Sequence, residues 1–349
     1  MTDRTSTPRG QILVGDALAT LRTLPTGSVD QVLTSPPYFR LRDYDARGQL
    51  GLEGHVDQWV SELVDVAVEV KRVLVSTGTF WLNVSDTYST HAREGSPRKS
   101  LLLGPERLAL ALVSDGWRLR NKIVWQKANP MPHSVTDRLT CTWEALFVFT
   151  KQDRYFFDLD AIRVPHLSKA GPARSGRPVR TKREQWRGPN TDDATGLVRL
   201  KHLGRVGHSL GKNPGDVLRI PSSNYRGSHH ATFPVALAEL AIRAGCPEAR
   251  CLVCRLPYRR GIFQTAAGSR EVSGRGDLRP TCECGTAAEP GLVLDPFMGA
   301  GTTALGAIEN RRDWAGIELS PHFAAEAEQR IAEYAPNGAK VATTRGGAS

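Results

Sequence analysis

Apolar residues recur along this chain in short runs, and these alternate with stretches in which they return at helical spacing. Residues 11–14 read as a short strand, 17–24 as a turn or two of helix, and 29–33 as a second strand, which the prolines at 36 and 37 bring to an end. The clearest helix is 56–74, where Val56, Trp59, Val60, Leu63, Val64, Ala67 and Val70 share one face. Gly78 closes that region and 79–84 is the next strand. A helix over 101–113 precedes strands at 118–125 and 144–150. After a long polar interval, 233–244 reads as a helix with Pro234 in its first turn. The series ends with strand 292–295, helix 302–310, strand 315–319 and helix 321–334. Strands alternating with helices predict an α/β fold on a doubly wound, mostly parallel sheet.

Length and charge refine this picture. A chain of 349 residues can bury the core of one large α/β domain with insertions. Nothing resembles a signal peptide, and no apolar stretch approaches the roughly 18 residues that suggest a membrane span. The expectation is a soluble, cytoplasmic protein. The net charge of +10 is localised: residues 161–228 hold 14 Lys and Arg against 4 Asp and Glu, leaving 32 of each sign elsewhere. That segment is also rich in Gly, Pro and Ser. It reads as a surface insertion, either a solvated linker or a nucleic-acid contact with Trp186 and Tyr225 available for stacking.

Two motifs carry chemistry. Ser35-Pro36-Pro37-Tyr38 follows the second strand. Its prolines remove two N–H donors, so local carbonyls face a ligand without competition, Ser35 adds an acceptor, and Tyr38 offers a flat face. The second motif is Asp295-Pro296-Phe297-Met298-Gly299-Ala300-Gly301-Thr302, in which a strand enters a glycine turn that opens a helix. Gly299 and Gly301 allow the backbone to pass close to a bound molecule. The turn lacks both the G-x-G-x-x-G pattern and the Gly-Lys-Ser/Thr ending of a phosphate loop, which argues against a pyrophosphate ligand. Glu318, 19 positions beyond Gly299, ends the next strand where a carboxylate can accept from ribose hydroxyls.

Together these motifs resemble those of the β-class DNA amino-methyltransferases, which carry an (Asp/Asn/Ser)-Pro-Pro-Tyr tetrapeptide and an Asp-Pro-Phe-x-Gly-x-Gly-Thr turn. The catalytic motif precedes the cofactor turn here, with the basic segment between them, matching the circularly permuted order of that class. The resemblance implies a seven-stranded Rossmann-like methyltransferase sheet, S-adenosylmethionine as methyl donor, and double-stranded DNA as partner. It also implies transfer to cytosine N4 or adenine N6 of an extruded base. Ser35, Pro36, Pro37 and Tyr38 become the catalytic set: the Ser35 hydroxyl and the Pro36 carbonyl accept from the amine while Tyr38 stacks on the base. Asp16, Phe233, Asp295, Phe297, Gly299, Gly301, Thr302 and Glu318 become the cofactor set, although Asp16 would also suit a helix N-cap. Serine in the first tetrapeptide position favours cytosine N4, with adenine N6 the alternative. Cys141 lacks the preceding proline of a C5-methylating nucleophile and is expected to be a small buried residue.

The remaining cysteines form Cys251-x-x-Cys254 and Cys282-x-Cys284, a pattern that can place four thiolates around a structural zinc, with Cys246 as a competing ligand. Adjacent His229 and His230 do not suit a shared ion. The expected organisation is a catalytic half (1–160), a basic target-recognition insertion (161–228), a cofactor-lining segment with its helix (229–245), a zinc-ribbon-like insertion (246–290), a cofactor half (291–335) and a disordered tail (336–349). A zinc-ribbon nucleic-acid binder without catalysis would explain the charge and cysteines but not the two motifs. A cognate restriction endonuclease is a candidate partner, and monomer and homodimer both remain open.

Overall fold

A computed structural model describes residues 8–167, 207–223, 232–267, 270–334 and 341–345. The chain divides into two units. The first holds a nine-stranded sheet built from β1 (Gly10–Val14), β2 (Val29–Thr34), β3 (Leu74–Val84), β4 (Arg118–Lys127), β5 (Trp143–Thr150), β6 (Val217–Ile220), β11 (Leu292–Asp295), β12 (Asp313–Glu318) and β13 (Val341–Arg345). Their order across the sheet is β13-β1-β12-β11-β2-β3-β5-β4-β6. From β13 to β3 every neighbouring pair is parallel, β5 runs antiparallel to both β3 and β4, and β6 pairs parallel with β4.

The expected seven strands are present and two more flank them. β6 lies inside the stretch assigned to the basic insertion, and its Val-Leu-Arg-Ile is too short and too mixed to stand out from a charged background. β13 interrupts the expected disordered tail; Thr343 and Thr344 are β-branched residues that suit an edge strand against β1. Most of 161–228, with Trp186 and Tyr225, lies outside the described residues, as do His229 and His230.

Among the described residues six α-helices accompany the sheet: α1 (Ala17–Thr23), α2 (Val56–Val73), α3 (Gly104–Ser114), α4 (Val235–Gly245), α5 (Thr302–Glu309) and α6 (Pro321–Tyr334). α2 buries the expected stripe with Val66 in place of the half-buried Val64, and Val73 extends it at the C-terminal end. Each fully buried Val or Leu on that face contributes about 1.5–3 kcal/mol. Alternation along β3 sorts the faces. Phe80, Leu82 and Val84 join the core under α2 and α3, whereas Thr79 donates to the Gly245 carbonyl of α4 at 3.1 Å. Gln31 of β2 likewise donates to the Ala241 carbonyl at 2.8 Å.

A buried ion pair ties the second half of the chain to the first. Arg250 Nη1 lies 2.7 Å from Asp30 Oδ2 in β2, and its Nε lies 2.9 Å from Glu289 Oε1. Asp30 also accepts from Leu292 N at the start of β11. Burial outweighs the guanidinium and pushes the Asp30 carboxyl up to about 6. Arg250 belongs to β7 (Arg250–Cys251), which pairs antiparallel with β10 (Ala288–Glu289).

The second unit comprises Leu159–Pro214 and Arg260–Asp277. Its described residues include a bridge between Val164 and Lys212 and most of a two-stranded hairpin, β8 (Arg259–Ala267) with β9 (Arg270–Arg279). Among the described residues no helix is long and apolar enough to cross a membrane.

Candidate active site

The two motifs meet at the carboxyl ends of β2 and β11, where a cavity of about 280 Å³ opens. Strand order brings this about: β11 pairs directly with β2, so the ends of both strands deliver their following loops to one place. Ser35, Pro36, Pro37 and Tyr38 all line the cavity, with Asp16, Phe233, Phe297, Gly299, Thr302 and Glu318 from the proposed cofactor set. Asp295 and Gly301 are absent from its walls. Asp295 is buried behind the turn and accepts from Thr34 Oγ1 and Thr303 Oγ1, each at 2.6 Å, and from Phe297 N at 3.0 Å. Burial pushes its carboxyl up to about 6. It acts as the pin that holds the glycine turn against β2. Gly301 is the left-handed N-cap of α5, with φ of 76°.

Glu318 also shapes the turn. Its Oε2 accepts from Gly299 N at 2.8 Å and its Oε1 from Ser320 N at 2.9 Å, and burial raises its pKa. Each oxygen keeps a second lone pair for a ligand hydroxyl. Asp16 caps α1, the alternative weighed for it, by accepting from Ala19 N at 2.8 Å, and it also lines the cavity. The charged wall residues are four carboxylates, Asp16, Glu62, Asp65 and Glu318, against one guanidinium, Arg42. Such a wall repels phosphate and suits a cationic ligand.

The tetrapeptide is held from behind. Trp59 Nε1 of α2 donates to the Pro37 carbonyl at 2.9 Å, whereas among the described residues nothing donates to the Pro36 carbonyl. Tyr38 Oη lies 2.7 Å from Glu144 Oε2, 2.7 Å from Asn83 Nδ2 and 3.0 Å from Ser35 Oγ. Asn83 Nδ2 also donates to Glu144 Oε2 at 2.7 Å, and Lys127 Nζ pairs with Glu144 Oε1 at 2.7 Å. These contacts fix the proton directions. The carboxylate can only accept, so Tyr38 donates to Glu144, and the phenol oxygen is left to accept from Asn83 and Ser35. The Ser35 proton thus points at Tyr38; its oxygen accepts only a long 3.5 Å bond from Asn83 Nδ2, and a lone pair stays available to a donor in the cavity. Burial and the Glu144 charge raise the Tyr38 pKa well above its ordinary value, which keeps the phenol neutral.

Asn83, Lys127 and Glu144 are absent from the motif-based set. Asn83 and Glu144 are polar residues near the ends of otherwise apolar strands, whereas Lys127 closes the mixed strand β4, and the sequence carries no stronger signal for them. Asn83 Oδ1 is buried without a partner among the described residues, a spare acceptor on a side chain that already bonds Tyr38. Cys141 is exposed, contrary to expectation, near Tyr88 Oη and Arg138. The loop bearing it ends before β5 and never enters the core. Away from the cavity, the sulfurs of Cys251, Cys254, Cys282 and Cys284 cluster within 4.8 Å of one another, while Cys246 is buried elsewhere.

The geometry agrees with comparisons to known proteins. A family model described as DNA methylase matches residues 29–329. The Type II methyltransferase M.XycI of Xanthomonas campestris pv. cyanopsidis is 33% identical over 346 residues, covering 93% of this chain and 88% of its own. The Type II methyltransferase M.SfiI of Streptomyces fimbriatus is 30% identical over 417 residues, covering 90% of this chain and 89% of its own. Among solved structures, the cytosine-N4-specific PvuII DNA methyltransferase superposes with a TM-score of 0.56 at 17% identity, over 97% of this chain and 98% of its own. A putative DNA modification methylase from Thermus thermophilus, solved with S-adenosyl-L-methionine, superposes with a TM-score of 0.54 at 21% identity, over 96% and 99%. The superpositions report a shared fold, and the matches along the sequence report kinship. This chain belongs to the N6/N4 DNA methylase family.

Proposed function

We propose that this DNA methylase transfers a methyl group from S-adenosylmethionine to the exocyclic N4 of cytosine in duplex DNA. The observation that carries the reading is a pair of acceptors at the cavity, the Pro36 carbonyl, to which no described residue donates, and the Ser35 hydroxyl oxygen, which accepts only the long 3.5 Å bond from Asn83 Nδ2 and keeps a lone pair. An aromatic exocyclic amine is a weak nucleophile because its lone pair is delocalised into the ring. Two acceptors that grip its hydrogens draw the nitrogen toward tetrahedral geometry and direct its lone pair outward. The same acceptors stabilise the positive charge that the nitrogen gains on attack. Tyr38, tied down through its hydroxyl, presents a fixed ring to a base taken out of the stack.

The cavity residues fit the methyl donor. Bound there, S-adenosylmethionine supplies an electrophilic methyl on a sulfonium centre, so no nucleophilic side chain is required. The acidic wall suits its positive charges, Glu318 and Asp16 offer acceptors to ribose and adenine, and Phe233 and Phe297 supply apolar cover. Gly299, at φ of 49°, donates to Glu318 from a left-handed conformation. Gly299→Ala adds about 1–2 kcal/mol of backbone strain at this wall, and calorimetry should show donor affinity weakened by roughly tenfold with the fold retained.

Serine at the head of the tetrapeptide favours cytosine, and the cytosine-N4-specific fold relative supports the same choice. Relatives named as Type II methyltransferases extend the reading to a cognate endonuclease that recognises the same site. The test is incubation with isotopically labelled donor and duplex DNA, followed by nucleoside digestion and mass analysis. Label in N4-methyldeoxycytidine is the expected result. Label in N6-methyldeoxyadenosine would replace the cytosine assignment with the adenine one. Label confined to RNA or protein would sink both.

A further inference from the structure

The four clustered cysteines take no part in the chemistry above, yet they occupy a defined junction. The chain runs from Cys254 through Pro257 into the hairpin at Arg259, and returns from Arg279 through Thr281 to Cys282. Thr281 Oγ1 donates to the Pro257 carbonyl at 2.7 Å, closing the root of the hairpin beside the cysteines. Each cysteine pair ends in a tight left-handed turn, with φ of 61° at Arg255 and 63° at Gly285. Cys251 itself lies in β7, next to Arg250 and its buried bonds to Asp30 and Glu289.

The four sulfurs lie within 4.8 Å of one another and all are free thiols. A tetrahedral zinc with bonds of about 2.3 Å needs sulfurs about 3.8 Å apart, so small side-chain shifts complete the site. An all-sulfur tetrahedron selects a soft or borderline ion and leaves no open position for substrate. Its purpose is therefore structural, and the hairpin is what it structures. Strands β8 and β9 carry Arg259, Arg260, Arg270, Arg275 and Arg279 against Glu271 and Asp277. Arg279, Ile262 and Phe263 are exposed. A basic two-stranded ribbon with exposed apolar residues has the size and charge to lie in a groove of duplex DNA.

We propose that Cys251, Cys254, Cys282 and Cys284 bind one zinc ion, and that this ion fixes the root of the β8–β9 hairpin as a DNA-contacting ribbon. The DNA part of this inference rests on the function proposed above. Metal content, DNA affinity and donor affinity are measured on the full chain purified without chelator. The expected results are about one zinc per chain, its loss in Cys254→Ser and Cys284→Ser, and its retention in Cys141→Ser. In Cys284→Ser, duplex affinity falls about tenfold with a shallower salt dependence, while donor affinity is unchanged. Arg279→Glu is a second variant that leaves the cysteines intact: it should keep its zinc and lose duplex affinity. Zinc well below one per chain, or unaltered by the serine variants, overturns the site. Full zinc in the unaltered chain and in Arg279→Glu, with duplex affinity unchanged both there and in the zinc-free Cys284→Ser, overturns the ribbon. Failure of the unaltered chain to methylate DNA, with these binding results intact, would count against the proposed function alone.

Discussion

Ser35→Ala lowers kcat for methyl transfer by roughly 10²- to 10³-fold, the scale expected when one preorganised partner of a developing charge is removed. Donor affinity stays within about twofold, because an interaction realised only in the transition state lowers kcat without altering ground-state binding. The reason lies in how the hydroxyl is oriented. Glu144 makes Tyr38 donate, Tyr38 makes Ser35 donate, and beside the long 3.5 Å bond from Asn83 a Ser35 lone pair is left for the amine in the proposed reaction. Alanine removes that acceptor and leaves Pro36 alone to grip the base. Tyr38→Phe should cost less, since it keeps the ring and the Ser35 oxygen but frees the serine proton to turn toward the substrate. Single-turnover kinetics with saturating donor separate the two variants. A Ser35→Ala enzyme that turns over at nearly the parent rate would remove the serine from the mechanism.

How far the sequence could be read depended on the range of each signal. The stripe from Val56 to Val70 lies within one helix, and its packing followed directly from its spacing. The two motifs were equally local, and the cavity they form was foreseeable once both were assigned to strand ends of one sheet. The Asn83–Glu144–Lys127 cluster was not foreseeable in this way. Its members meet because β3 and β4 both run antiparallel to β5, with Val84 opposite Ala145 and Trp125 opposite Glu144. A shift of one residue in either register would turn these side chains to the opposite face. Nothing in the sequence fixes that register. Asp295 shows the converse: its motif was legible, but its side chain turned inward to pin the turn.

Arg250→Ala should destabilise the fold by about 3–5 kcal/mol, the usual consequence of leaving one member of a buried ion pair without the other. Asp30 is 2% exposed and Arg250 5%, so water cannot replace the guanidinium. The substitution also strips the Ser28 carbonyl of its 2.7 Å donor and Glu289 of its 2.9 Å partner. The strands concerned carry the site: β2 leads from Asp30 to Ser35, and β11 from Leu292 to the cofactor turn. Melting temperature should fall by on the order of 10 °C. The pH dependence follows from the direction of the Asp30 shift. A carboxyl already raised to about 6 with its partner present rises further without it, so the folded variant binds a proton more tightly than the unfolded chain. The deficit of Arg250→Ala is therefore largest on the alkaline side of that further-raised pKa and narrows as pH falls through it. Combining it with Asp30→Asn removes the stranded charge while keeping an oxygen for the Leu292 N–H, so the double variant should be more stable at neutral pH than Arg250→Ala alone. Equal stability of the single and double variants, together with a flat pH profile, would mean that the charge on Asp30 does not govern the junction between β2 and β11.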